Sequence, residues 1–203
     1  MDRQTLRAQW KIPDDATIIG RVGRVSGSKL VHETVQVALH LWQHGVTNLY
    51  CVIGGSVPQD EGPAYAQALR RTYDQYPIIT FLGEAETPQR RASWLAAMDV
   101  VCYPTQGEGF GMIFLEAMQQ GVPIVTYDTG ANAEVIGDAG LCVPYESAPA
   151  LRIGELAHAI QRAIRPTVHR QLRKACRERA QLYTAVRYAT DMRAVYDEAI
   201  AGG

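Results

Sequence analysis

The sequence predicts an α/β protein: a Rossmann-like, doubly wound parallel sheet of about six strands with trailing C-terminal helices. Three observations predict it. Short apolar runs alternate with helical patterns between residues 17 and 144. These runs are continuous rather than alternating in polarity, as in strands covered on both faces. From residue 151 the pattern is helical alone, interrupted near Pro166.

The elements follow in order. Residues 1–16 are polar, end in PDDAT and read as a lead-in; residues 17–203 read as the domain proper. TIIGRVGRV (17–25) is a buried strand and SGS (26–28) a loop. Val31, Val35, Ala38, Leu39 and Trp42 recur at helical spacing across 29–44. NLYCVIGG (48–55) is a strand closing on a glycine turn, 61–75 a helix ended by Pro77, and IITFLG (78–83) a strand. Thr87 caps a helix with Pro88 at its first position. DVVCYP (99–104) is a strand. A glycine loop follows, then the helix MIFLEAMQQ, stopped by Gly121. VPIVTYD (122–128) and GLCVP (140–144) are the last strands, separated by a loop and a short helical turn.

Composition narrows the function. The chain has 203 residues, 47% hydrophobic and 20% charged, enough for a full core. The formal net charge of −1 gives no steering toward nucleic acid. The charge is uneven: residues 1–150 carry ten Lys/Arg against sixteen Asp/Glu, and residues 151–203 carry ten against five. That basic tail is either a solvated helical face or a surface for anionic lipid or an acidic partner. Cys51, Cys102 and Cys142 sit in apolar runs, and with Cys176 they form no CxxC pair, so a core role in a reducing cytosol is expected. There is no secretory h-region and no apolar run of membrane-span length. His40 and His44 stand one helical turn apart with no evident third ligand, so no metal site is expected. No G-x-G-x-x-G follows the first strand, which speaks against a dinucleotide enzyme.

In doubly wound folds ligands bind beyond the carboxyl ends of the strands. The segments there are 24–29, 54–56, 83–84, 104–111 and 129–134. Gly109 and Gly111 flank Phe110 at a helix entry, which is either an ordinary strand-to-helix turn or an anion cradle of free N–H groups. Glu108 and Glu116 complicate the cradle, because carboxylates repel anions. Two sugars flanking a diphosphate would use both kinds of group, N–H donors for phosphate and carboxylates for hydroxyls. Arg24 and Lys29 add cations to the first loop. Arg21, inside a strand, is expected to pair with a carboxylate.

VGR (22–24) with Lys29, FLG (81–83), DVVCYPTQGEGFGMIFLEAMQQGVPIV (99–125) and TGANAEVIGDAGLCVP (129–144) carry a resemblance. In order and spacing they resemble the C-terminal, donor-binding domain of family 4 retaining glycosyltransferases, one half of the GT-B architecture, over about residues 17–200. EGFGMIFLE is similar to that family's E-x7-E motif. Leu30 stands where the family usually has glycine, and Thr105 where serine is common.

The resemblance implies a hexosyltransferase of the EC 2.4 type, using a nucleotide diphosphate sugar (UDP, GDP or ADP undecided) and no metal or other cofactor. It implies Arg24 and Lys29 on the donor diphosphate and Glu108 on the transferred sugar. The N–H groups around Gly109, Phe110, Gly111 and Met112 would contact phosphate and sugar. Glu116 would bind the ribose, and Phe81, Leu82 and Gly83 would lie along the base. It implies an acceptor-binding N-terminal domain that this sequence lacks, supplied in the same chain or by a partner. The expected fragment is poorly active alone, cytoplasmic or peripheral at the cytoplasmic membrane face. An apolar stripe of Tyr183, Tyr188, Val195 and Tyr196 would be open to self-association. The alternative is a stand-alone nucleotide-sugar-binding module, or a subunit completing a transferase.

Overall fold

The computed structural model describes residues 1–60, 62–146 and 148–202. Six parallel strands form one sheet: β1 (Thr17–Val22), β2 (Leu49–Gly54), β3 (Ile79–Gly83), β4 (Val100–Cys102), β5 (Ile124–Tyr127) and β6 (Gly140–Val143). Their order is β3-β2-β1-β4-β5-β6, as expected for a doubly wound sheet. Register runs Ile19 against Cys51 and Val100, and Val125 against Leu141.

Helices cover both faces. α2 (Val31–Gln43), α3 (Gly62–Tyr73) and α7 (Pro149–Ala163) pack on one face around Val35, Leu69 and Leu156. α1 (Arg3–Gln9), α4 (Pro88–Ala97), α5 (Met112–Gln119) and α6 (Asn132–Ile136) pack on the other around Trp94, Phe114 and Met118. α8 (Pro166–Ala180) gives Leu172 to the first core and Cys176 to the second. Each such buried apolar side chain contributes about 1.5–3 kcal/mol, and the continuous apolar strands follow from this double coverage.

The expected caps form. Thr87 Oγ1 accepts from Arg90 N at 3.1 Å with Pro88 in the first turn, and Gly121 ends α5 at φ 67°. The first strand ends at Val22, short of the expected Val25, because Gly23 turns at φ 153°. Residues 1–16 are more ordered than a polar lead-in suggests. They hold α1, whose Arg7 is 1% exposed and donates to Asp99 at 2.8 Å, while Asp99 also takes Ile18 N at 2.8 Å. That buried pair ties α1 to the starts of β1 and β4.

Tyr183 lies in a 3-10 turn (Gln181–Tyr183), after which Thr184 caps a separate helix, α9 (Ala185–Ala201). None of α9's residues is buried, and Val186, Tyr188, Val195, Tyr196 and Ile200 are exposed. Among the described residues no helix is long and apolar enough to cross a membrane. Cys51 and Cys102 are fully buried and Cys142 half-buried, all as free thiols on strands; Cys176 is buried in α8. Burial pushes Cys102 and Cys176 up to about 12, so they are inert. His40 and His44 stack at 4.2 Å, and His44 Nδ1 lies 2.7 Å from the His40 carbonyl.

Candidate functional site

The strand order reverses direction between β1 and β4, and a crevice opens there beyond the strand ends. The loops leaving those two strands are 23–30 and 103–111, and the first gives Gly23 and Arg24 to the lining of the cleft. The two loops approach closely: a side chain at Gly23 would lie 2.7 Å from the Tyr103 hydroxyl. Lys29 Nζ meets Glu108 Oε1 at 2.6 Å, with both side chains largely buried.

The Lys29 turn is a 3-10 turn (Gly27–Lys29) closed by Leu30 in the left-handed region, φ 45°, ψ 40°. That conformation costs a non-glycine residue about 1–2 kcal/mol. The Leu30 side chain is 6% exposed, and its burial offsets a cost of that size. Leucine therefore serves where glycine would be the simpler choice. Below the turn, Arg21 is fully buried. Among the described residues it does not pair with a carboxylate: its guanidinium stacks 4.0 Å over the Tyr103 ring and donates to the Lys29 carbonyl. The ring of Tyr103 supplies the negative face that the sequence reading sought in an acid.

The glycine loop is braced from below. Thr105 is fully buried, Thr129 Oγ1 donates to the Thr105 carbonyl at 2.9 Å, and Ala131 N donates to the Glu108 carbonyl at 3.2 Å. Gly111 begins α5 at φ 76°, and a Cβ there would fall 2.4 Å from the Phe114 ring. Gly107 and Gly109 differ: neither has positive φ, and a Cβ on either would meet nothing within 4 Å. Nothing in the fold requires glycine at those two positions. Among the described residues the N–H groups of Phe110, Gly111 and Met112 have no protein acceptor, leaving donors at a helix N-terminus.

The far end of the cleft is helical. Glu116, in the second turn of α5, takes Arg91 Nε on Oε2 at 2.5 Å and Arg91 Nη2 on Oε1 at 2.8 Å. The hydrogen bond to Glu116 raises the Arg91 pKa further above its ordinary value. The cleft, about 310 Å³, is lined among others by Gly23, Arg24, Ser56, Glu84, Arg91 and Glu116. Arg24 is exposed at its rim and makes no ion pair among the described residues.

Of the expected site residues, Arg24 and Glu116 line this cleft, Lys29 and Glu108 pair on the adjoining loops, and Met112 lines a neighbouring pocket that shares Arg91 and Glu116. Residues 81–83 stand aside. The Phe81 side chain packs with the α2/α3 core under Arg70, and Leu82 turns to the opposite core. Phe81 and Gly83 line a small neighbouring pocket of about 40 Å³, while Glu84 and Ala85 line the cleft itself. Phe110, 41% exposed, sits edge-on to Tyr183 at 5.5 Å.

Two features escaped the sequence reading. Arg91 is one; its place in the helical pattern gave no sign of a partner 25 residues on. The other is a buried cluster behind the Lys29 turn. Glu33 accepts from Arg152 Nη2 at 2.6 Å and from the Tyr127 hydroxyl at 2.5 Å. Burial first, and then the bond to Glu33, push the Tyr127 pKa upward, so it stays a donor. The cluster ties the first turn of α2 to β5 and α7. Among the described residues no group of three or more His, Cys, Asp or Glu is placed to hold a metal.

Comparison with known proteins bears on the fold and the family. A mannosyltransferase of Mycobacterium tuberculosis, described as GDP-mannose-dependent alpha-(1-6)-phosphatidylinositol dimannoside mannosyltransferase, is 31% identical over 189 residues, covering 92% of this chain and 45% of the relative. The sucrose-phosphate synthase of Thermosynechococcus elongatus superposes with a TM-score of 0.77 at 26% identity, covering all of this chain and 52% of that one. The C-terminal domain of a group 1 glycosyl transferase from Francisella tularensis superposes with a TM-score of 0.67 at 22% identity, covering 89% of this chain and 96% of that domain. This chain spans about half the length of the curated relatives it matches. The profile of the family described as "Glycosyl transferases group 1" matches residues 2–183, and the chain belongs to that family, as the C-terminal domain of its GT-B architecture.

Proposed function

We propose that this domain binds the nucleotide diphosphate sugar of a retaining, metal-independent hexosyltransferase. What supports the reading is a cleft lined by Arg24, Arg91 and Glu116, the Lys29–Glu108 pair on the adjoining loops, and unpartnered N–H groups at the start of the helix that bears Glu116. Cleavage of a sugar–phosphate bond leaves negative charge on the diphosphate and positive charge at the anomeric carbon. Arg24, Lys29 and the N–H groups of Phe110, Gly111 and Met112 stabilise the first. Glu108 orients the sugar hydroxyls, and Glu116 accepts from the ribose. The base lies along the backbone of 83–85, since the Phe81 and Leu82 side chains are committed to the cores.

Gly107 and Gly109 support this reading. Residues that the fold leaves free to carry a side chain, yet which lack one, leave room for a ligand. An acceptor-binding domain, in the same or a partner chain, completes the enzyme, and the exposed apolar face of α9 suits contact with it. The exposed Arg170, Lys174 and Arg177 of α8 gather the basic surplus of the C-terminal region and suit peripheral contact with an anionic membrane surface.

A thermal-shift panel of UDP, GDP, ADP and their sugars tests the reading. One nucleotide series raises the melting temperature, because ligand at 100 times its Kd adds about 2.7 kcal/mol. The name of the mycobacterial relative puts GDP-mannose first in the panel. No shift with any member at millimolar concentration overturns the proposal.

A further inference from the structure

Arg91 projects from the first turn of α4, where the helix dipole disfavours a cation. Its ion pair with Glu116 is partly exposed, with side chains 36% and 27% accessible. A pair this open adds at most about 1 kcal/mol to stability. Fold stability therefore gives a weak reason for Arg91. Its geometry gives a stronger one. The guanidinium fork engages both oxygens of Glu116 at 2.5 and 2.8 Å, so it fixes the carboxylate plane as well as its position. A glutamate alone on a helix surface samples several rotamers and loses that freedom when a ligand binds.

A carboxylate has about four lone-pair sites. The fork uses two and leaves two, one on each oxygen. Two acceptors on neighbouring oxygens match two vicinal hydroxyls. Arg91 also balances the charge of Glu116 inside a cleft that must admit a diphosphate, as Lys29 does for Glu108. The helix-borne pair is therefore a rigid, neutral acceptor for a cis-diol.

We propose that Arg91 is a positioning residue that sets nucleotide selectivity: by forking both oxygens of Glu116, it aims that carboxylate at the 2′- and 3′-hydroxyls of the donor ribose and so favours ribonucleotides over deoxyribonucleotides. The proposal rests on the nucleotide-sugar reading of the cleft.

Isothermal titration with UDP and GDP, each beside its 2′,3′-dideoxy counterpart, tests it through the ratio of the two dissociation constants. The ratio cancels any general change in charge or in folded fraction. Wild-type protein prefers the ribonucleotide at least about tenfold, the least expected from two hydrogen bonds to a charged acceptor. In Arg91→Met the ratio falls to about twofold or less, and Arg91→Lys, which makes a single contact, lies between. An Arg91→Met protein that keeps the wild-type ratio overturns the proposal, whatever its absolute affinity. Should Arg91→Met fold poorly, Arg91→Gln removes the same fork, and the same ratio decides. A wild-type ratio near one, with Glu116→Ala changing neither affinity, overturns the ribose reading itself and this proposal with it; failure of the Arg91 variants alone leaves that reading standing.

Discussion

Two ion pairs beyond the strand ends, Lys29–Glu108 at a loop end and Arg91–Glu116 at a helix end, carry the same charges on different scaffolds. At one end Lys29 and Glu108 sit on loops: the first turn is closed by a left-handed leucine, and the second runs between glycines with open space above them. At the other end Arg91 and Glu116 sit on two helices, four and five residues in from their starts. Loop geometry is held by a few hydrogen bonds, whereas helix geometry is held by the core beneath it. The loop end suits the part of a ligand whose charge changes during reaction, and the helix end suits the part that stays fixed. Gly111 is the joint between them.

The sharpest way to break that comparison is at the joint. Gly111→Ala forces a side chain into a left-handed position, costing about 1–2 kcal/mol, and sets it against the Phe114 ring. With overpacking added, the loss is about 3 kcal/mol, or roughly 6–12 °C in Tm for a domain of this size. Calorimetry that finds Gly111→Ala as stable as wild type shows that the joint is not rigid.

Next in size is the loop-end cation. On the proposed reading, Lys29→Met takes a cation from the diphosphate and leaves the Glu108 carboxylate without its partner. A hydrogen bond between charged groups is worth about 1.5–3 kcal/mol, so nucleoside diphosphate affinity falls roughly 10- to 100-fold. The matching monophosphate loses much less. Equal losses for both, measured by titration, would remove Lys29 from the diphosphate.

Gly109→Ala separates ligand from fold. The position has no strained φ and no neighbour within 4 Å, so unfolding free energy stays within about 0.5 kcal/mol of wild type. On the proposed reading diphosphate affinity still falls several-fold, because the new methyl enters the space assigned to the ligand. Unchanged affinity would mean that the open space above the loop is solvent alone.

The two ends also differ in how well they could be read in advance. The loop end is written locally: glycines, carboxylate and cations lie within short segments at strand ends, where doubly wound sheets place ligands. The apolar runs of the six strands were legible for the same reason, since double coverage leaves few polar positions. The helix end depends on which helices become neighbours. Arg91 meets Glu116 because α4 packs beside α5, and a helical pattern alone does not reveal that adjacency. Arg21 misled for a related reason: an aromatic face can replace a carboxylate, and only packing brings Tyr103 over it. The extent of α1 was hidden by its polar composition, because a single arginine buried against Asp99 anchors it.

The smallest expected effect is a pH dependence at the foot of the loop end. His32 lies in the first turn of α2, three residues after Lys29, where its backbone N–H donates to the Tyr65 hydroxyl at 3.0 Å and its Nδ1 shares that hydroxyl. Burial lowers its pKa; Arg152 and Arg21 push the same way, and Glu33 opposes them. A lowered histidine pKa means that the unfolded chain takes up the proton first. Stability is therefore full above the unfolded value of about 6.5 and declines as pH falls toward the lower folded value. Chemical denaturation across pH 5 to 7.5 should show that decline in wild type and a flatter profile in His32→Gln. Identical profiles would show that His32 protonates as freely in the folded loop as in the open chain, and that the loop end is looser than the packing of Tyr65 implies.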